Sequence, residues 1–131
     1  MRALVLDAGA LIALDRNDRA AWAMLRAAAD DRALVRVPAG VIGQVWRQGH
    51  RQALLARALG HTEEVPLDGL AARVAGMLCG ATHTDDVIDA SVALVAASVV
   101  GAETWLLTSD LDDCRTLLDV LNAAHVRLVA V

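Results

Sequence analysis

The chain has 131 residues, 56% of them hydrophobic, which excludes a disordered polypeptide and suits one domain, residues 1–131, with a buried core. Its formal charge is −4, with twelve arginines and no lysine, so it lacks the strongly basic balance of a protein that grips nucleic acid by net charge. Cys79 and Cys114 stand in no metal-binding or redox spacing, and no apolar run reaches the roughly 18 residues that span a bilayer, so a soluble cytoplasmic protein with reduced core thiols is expected.

Residues 3–7 (ALVLD) form a short apolar run closed by Ala-Gly, the pattern of a buried parallel strand, and a helix resumes over Ala10 to Leu14. Residues 18–31 carry Ala21, Trp22, Leu25 and Ala29 at helical spacing, and Leu34 to Val37 reads as a second strand closed by Pro38. A helical hairpin follows, with one helix over 39–48, a break at Gly49 and a second helix over 51–59 ending at Gly60. Glu64 to Pro66 is a short extended piece. Asp68 caps a helix over 69–79, which Gly80 stops. Thr84 is the expected cap of an apolar helix over about 85–99, and residues Val99 to Thr104 form a surface loop. A strand at Trp105 to Thr108, a helix over 111–122 opened by Asp110, and a last strand at Val126 to Val131 complete the chain. Strands alternating with helices predict an α/β fold of three layers, a mostly parallel central sheet flanked by helices.

In such sheets the ligand site lies beyond the carboxyl ends of the strands. Asp7 and Asp110 both stand there, and each reads equally as a helix cap or as a ligand. Asp89 lies among Val87, Ile88, Ala90 and Val92 with no basic residue at helical spacing, so a bare carboxylate there needs a partner or a cation. Asp86 is one turn earlier on the same face. Asp85 and Asp86 also suit a helix N-terminus, as simple complements of its dipole. Six aspartates fall between residues 85 and 113, and with Asp7 they would repel one another in a cleft without a compensating ion. Magnesium, which keeps several waters and takes one or two carboxylates, answers that need and serves phosphodiester hydrolysis.

Ser109 serves either as a turn cap or as a phosphate contact, and Asp113 is a supporting acid. Arg47, Arg51 and Arg57, with His50 and His61 nearby, read either as a solvated helix face or as a basic ridge for RNA. No phosphate-cradling glycine loop or nucleophile elbow is present. The absence of any Phe or Tyr excludes an aromatic stacking sheet. The three tryptophans, Trp22, Trp46 and Trp105, read as core or interface residues. The high apolar content also predicts a second subunit or a protein partner.

Four segments in this order, LVLDAGALIAL, VPAGVIGQVWRQGHRQALLARAL, DDVIDASVALVA and LLTSDLDDCRTL, resemble the PIN-domain family, and within it the VapC-type toxins of toxin-antitoxin pairs. The resemblance spans essentially the whole chain. It implies a metal-dependent endoribonuclease using magnesium or manganese, a homodimer, and inhibition by a cognate antitoxin. It also implies Asp7 and Asp89 as principal metal ligands, with Asp110 completing the set and Asp86 lining the cleft. The family usually carries an acid where this chain has Gln44. That departure leaves a scaffold with weakened catalysis, binding protein or RNA, as the alternative, and it invites Asp86 to supply the missing carboxylate. A receiver or phosphatase domain is disfavoured, because there is no lysine and no aspartate two positions after Asp7.

Overall fold

Alternating short apolar strands and helices give the computed structural model of residues 1–131 its shape: a five-stranded sheet in the order β3-β2-β1-β4-β5, every neighbouring pair parallel. The strands are β1 (Ala3–Leu6), β2 (Leu34–Pro38), β3 (Glu63–Val65), β4 (Thr104–Thr108) and β5 (Val126–Ala130). Seven α-helices connect them: α1 (Ala8–Asp15), α2 (Arg19–Asp30), α3 (Ala39–Val45), α4 (Ala53–Leu59), α5 (Gly69–Thr82), α6 (Val87–Ala97) and α7 (Leu111–Val120).

β1 is buried along its whole length because helices cover both faces of a parallel sheet. One group, α1, α2 and α4, packs together, and α5, α6 and α7 form the other. Crossovers of one hand leading to opposite sides of β1 and β4 put these groups on opposite faces, the third layer being the sheet itself. Leu4, Val5, Leu6, Leu11, Leu55 and Leu106 anchor a continuous core. Both cysteines are free and buried, as expected. No helix is long and apolar enough to cross a membrane.

Several boundaries depart from the sequence expectation. The first strand ends at Leu6, since Asp7 turns to cap α1, which begins at Ala8. The helix expected through residue 48 stops at Val45, where Trp46 takes up extended backbone and Gly49 packs against the Trp46 ring. A short 3-10 turn over Gly49–Arg51 then replaces the start of the second helix. Gly80 does not stop α5. The helix runs on to Thr82 and ends on His83 in the left-handed conformation, a position more usual for glycine or asparagine. Finally, α6 is capped by Asp86 and not by Thr84, so Asp89 falls in its first turn and not in its interior. The expected loop after α6 is present, with Val100 exposed and Gly101 at a φ of +75°.

Candidate functional site

The strand order reverses between β1 and β4: from β1 the chain passes to β2 on one side, and from β4 to β5 on the other. A crevice opens at the carboxyl ends of such a pair. Asp7 follows β1 and Asp110 follows β4, so both lie at that crevice.

Each is held by the backbone that it caps. Asp7 Oδ1 accepts from the Ala10 amide at 3.0 Å, Asp110 Oδ1 from the Asp113 amide at 3.3 Å, and Asp86 Oδ1 from the Asp89 amide at 3.0 Å. Each of the three is thus a helix cap; capping occupies one oxygen and fixes the rotamer, and does not exclude ligation through the other.

Thr108, fully buried at the end of β4, ties two of these acids together. Its hydroxyl donates to Asp7 Oδ2, and the Thr108 hydroxyl oxygen in turn accepts from the Asp110 amide at 2.9 Å. Gly9, in the first turn of α1, lets the β4–α7 turn close over it. A Cβ there would fall onto the Ser109 side chain and within 3.2 Å of the Ser109 amide nitrogen. Thr108 and Gly9 were not legible as site residues. Their only signal is position, each beside an aspartate at a strand end.

Asp7, Gln44, Arg47, Asp89, Ser109 and Asp110 line one hollow of about 390 Å³. A second of similar size, about 390 Å³, is lined by His83, Asp85, Asp86, Asp89, Asp113 and Thr116. Asp89 belongs to both, and so joins them. The carboxylates of Asp89, Asp110 and Asp113 offer oxygens that all lie within 4.8 Å of one another. Asp113, not Asp86, is therefore the third member of the tightest group. Arg47 is the only cation lining the first hollow, and its guanidinium is already bonded to the carbonyl oxygens of Gly43 and Trp46. Arg51 and Arg57 lie outside both hollows.

The electrostatic cost is visible in the acids themselves. Burial, and then the charges of Asp86 and Asp110, push the Asp89 carboxyl up to about 6. The neighbouring Asp110 carboxyl, through hydrogen bonding and then charge, raises Asp113 above the usual carboxylate range. Neither of the molecule's two ion pairs, Met1 with Asp31 and Arg36 with Glu63, relieves this cluster. Hard oxygen donors crowded without a counter-charge are a donor set that fits a divalent cation such as magnesium or manganese.

No protein-family model matches the sequence, and no curated protein matches it. Among solved structures, a chain in the crystal structure of VapBC2 from Rickettsia felis, bound to a DNA fragment from their promoter, superposes with a TM-score of 0.64. The match covers 98% of each chain at 12% identity. At that identity the likeness speaks for the fold. The chain thus has the PIN-like α/β fold that its sequence resemblance implied, shared over nearly its full length with a chain of VapBC2 from Rickettsia felis.

Proposed function

We propose that the protein is a metal-dependent endoribonuclease, the toxin of a toxin-antitoxin pair. The observation that carries this reading is the convergence of Asp89, Asp110 and Asp113 at the β1/β4 crevice, with Asp7 in the adjoining hollow and no cation paired to them. Asp89, Asp110 and Asp113 would hold magnesium or manganese, with Asp7 and Asp86 completing the acidic wall. Bound there, such an ion would supply Lewis acidity toward a phosphodiester and an attacking water.

The chain's own residues do the rest. Asp7 is held on both oxygens, by the Ala10 amide and the Thr108 hydroxyl, so its charge is pre-positioned and not reorganised during the reaction. Arg47 at the cleft wall offers charge to an approaching phosphate, and Ser109 offers a hydroxyl. Gln44, exposed at the same wall, contributes an amide where an acid would add charge, and Asp113 makes up the carboxylate number. Arg51 and Arg57 would steer the strand from outside the cleft.

The fold's relation to VapBC2, a two-component assembly by its name, supports a cognate antitoxin as partner. A second copy of the chain is the partner we assign to the exposed apolar face of α5. There Leu70 and Met77 are 72% and 75% exposed, with Val74 between them on the same side. We place the protein in the cytoplasm.

The test is cleavage of total cellular RNA by the purified protein with magnesium, with manganese and with EDTA, beside Asp89→Asn. Discrete cuts that need the metal and vanish in the variant are expected. No cuts, together with no rise in melting temperature on adding either ion, would move the assignment to a binding scaffold, the reading that Gln44 favours.

A further inference from the structure

Away from the acidic crevice, at the C-terminal end of α1, a hollow of about 530 Å³ is lined by Asn17, Arg19, Trp22, Arg26, Leu54 and Arg57. Arg19, Trp22 and Arg26 stand at i, i+3 and i+7 on α2 and so share one face of that helix. Arg57 arrives from α4, its guanidinium over the Trp22 ring at 5.6 Å from the centroid. The indole itself is fixed, its Nε1 donating to the Leu14 carbonyl at 3.0 Å.

Three arginines thus line one hollow with no carboxylate in its lining. None of the three is in an ion pair. The nearest acids along the chain, Asp15, Asp18 and Asp30, make no ion pair with them; Asp18 accepts from the Ala21 amide and Asp15 from the Gln52 amide group. A local cluster of exposed guanidinium-bearing residues with no internal counter-ion, on a molecule of net charge −4, sets up a positive field that attracts an anion. The second arginine–indole pair, Arg127 over Trp105, differs in this respect. There Glu103 accepts from the Trp105 ring nitrogen and supplies the negative charge.

We propose that this hollow is a second, non-catalytic subsite for single-stranded RNA, holding phosphates between Arg19, Arg26 and Arg57 while a base stacks on the Arg57–Trp22 pair. RNA fits better than an acidic polypeptide because the hollow combines forked phosphate donors with a rigid flat platform, and planar guanidinium groups and indoles both take a base on their faces. Asp7 caps one end of α1 and this hollow lies at the other. The eight residues of that helix separate them by about 12 Å. A strand entering the crevice would pass the subsite within a few nucleotides. The proposal rests on the RNA-cleaving reading of the crevice, but its test does not use cleavage.

Binding is read as anisotropy of a short fluorescein-labelled oligouridylate in EDTA at several salt concentrations. The Arg19→Gln/Arg26→Gln/Arg57→Gln variant is expected to bind at least about tenfold more weakly, with the slope of log K against log salt reduced by about two, as for three lost single-strand phosphate contacts. A charge-matched control, Arg32→Gln/Arg73→Gln/Arg115→Gln, should keep most of the affinity. Trp22→Phe should lose the quenching of tryptophan fluorescence that accompanies binding of the oligonucleotide. Equal losses in the two triple variants, or unchanged affinity in the first, would overturn the subsite. So would polyglutamate quenching Trp22 where oligouridylate does not, a result that identifies an acidic polypeptide as the occupant. Metal-dependent cuts with an unaffected triple variant would sink the subsite alone, whereas pocket-dependent binding without cuts would sink only the nuclease reading.

Discussion

Asp89 is the side chain on which burial and repulsion act most strongly. Its carboxyl titrates near 6 in the folded protein against 3.8 for the free group, so between those values the folded state holds more protons than the unfolded chain. The stabilising contribution is complete below 3.8 and is lost as pH rises through about 6. In EDTA, Asp89→Asn should therefore be more stable than wild type at pH 8 by about 1 kcal/mol, allowing for solvent screening of a group that is only half-buried, and should show no such gain at pH 4. Urea unfolding at the two pH values checks this, and equal curves at pH 8 would reject it. Thr108 acts differently, through neutral hydrogen bonds. Thr108→Val keeps the shape but leaves Asp7 Oδ2 without its donor and the Asp110 amide without its acceptor, at an expected cost of about 2 kcal/mol. Thr108→Ser, which retains the hydroxyl, should recover most of that loss in the same urea measurement.

At the level of helices and strands, N-caps carry both architecture and chemistry, and this explains what could be read in advance. Asp7 and Asp110 were legible because each ends an apolar strand and opens a helix. Asp68 was legible by the same logic. The start of α6 was not, since Thr84 and Asp86 are both good caps; in the fold Thr84 is taken up by the end of α5, its amide donating to the Cys79 carbonyl and its hydroxyl bonded to that of Thr82, and Asp86 caps α6. Gly80 misled for a related reason: a helical glycine costs about 1 kcal/mol, which the packing of α5 on α6 outweighs. The closeness of Asp113 to Asp89 depends on how α6 and α7 dock, a relation between distant segments that local spacing does not reveal. Because asparagine caps as well as aspartate, Asp110→Asn should unfold within about 0.5 kcal/mol of wild type, whereas Asp110→Ala should lose about 1 kcal/mol. If the proposed chemistry holds, both variants lose cleavage alike. A stable but inactive Asn variant separates the ligand role from the cap.

For the molecule as a whole, the acid cluster predicts that stability depends on cations. Magnesium at about a hundred times its dissociation constant should add about 2.7 kcal/mol, seen as a higher melting temperature that EDTA reverses and Asp89→Asn lacks. The apolar face of α5 predicts self-association. Met77→Glu, at a side chain 75% exposed, should shift sedimentation from dimer toward monomer while leaving the fold intact. The sheet order has one more consequence, which concerns synthesis. β1 is made first but sits in the middle, and the contact from Thr108 to Asp7 joins residues 101 positions apart. At about 5–20 residues per second, a ribosome needs at least about five seconds to make the second wall of the crevice after the first. Until then β1 has a bare edge, and Asp7 has neither Thr108 nor Asp110 beside it. A nascent chain is therefore without its acidic cleft until β4 and α7 have been made and laid beside β1.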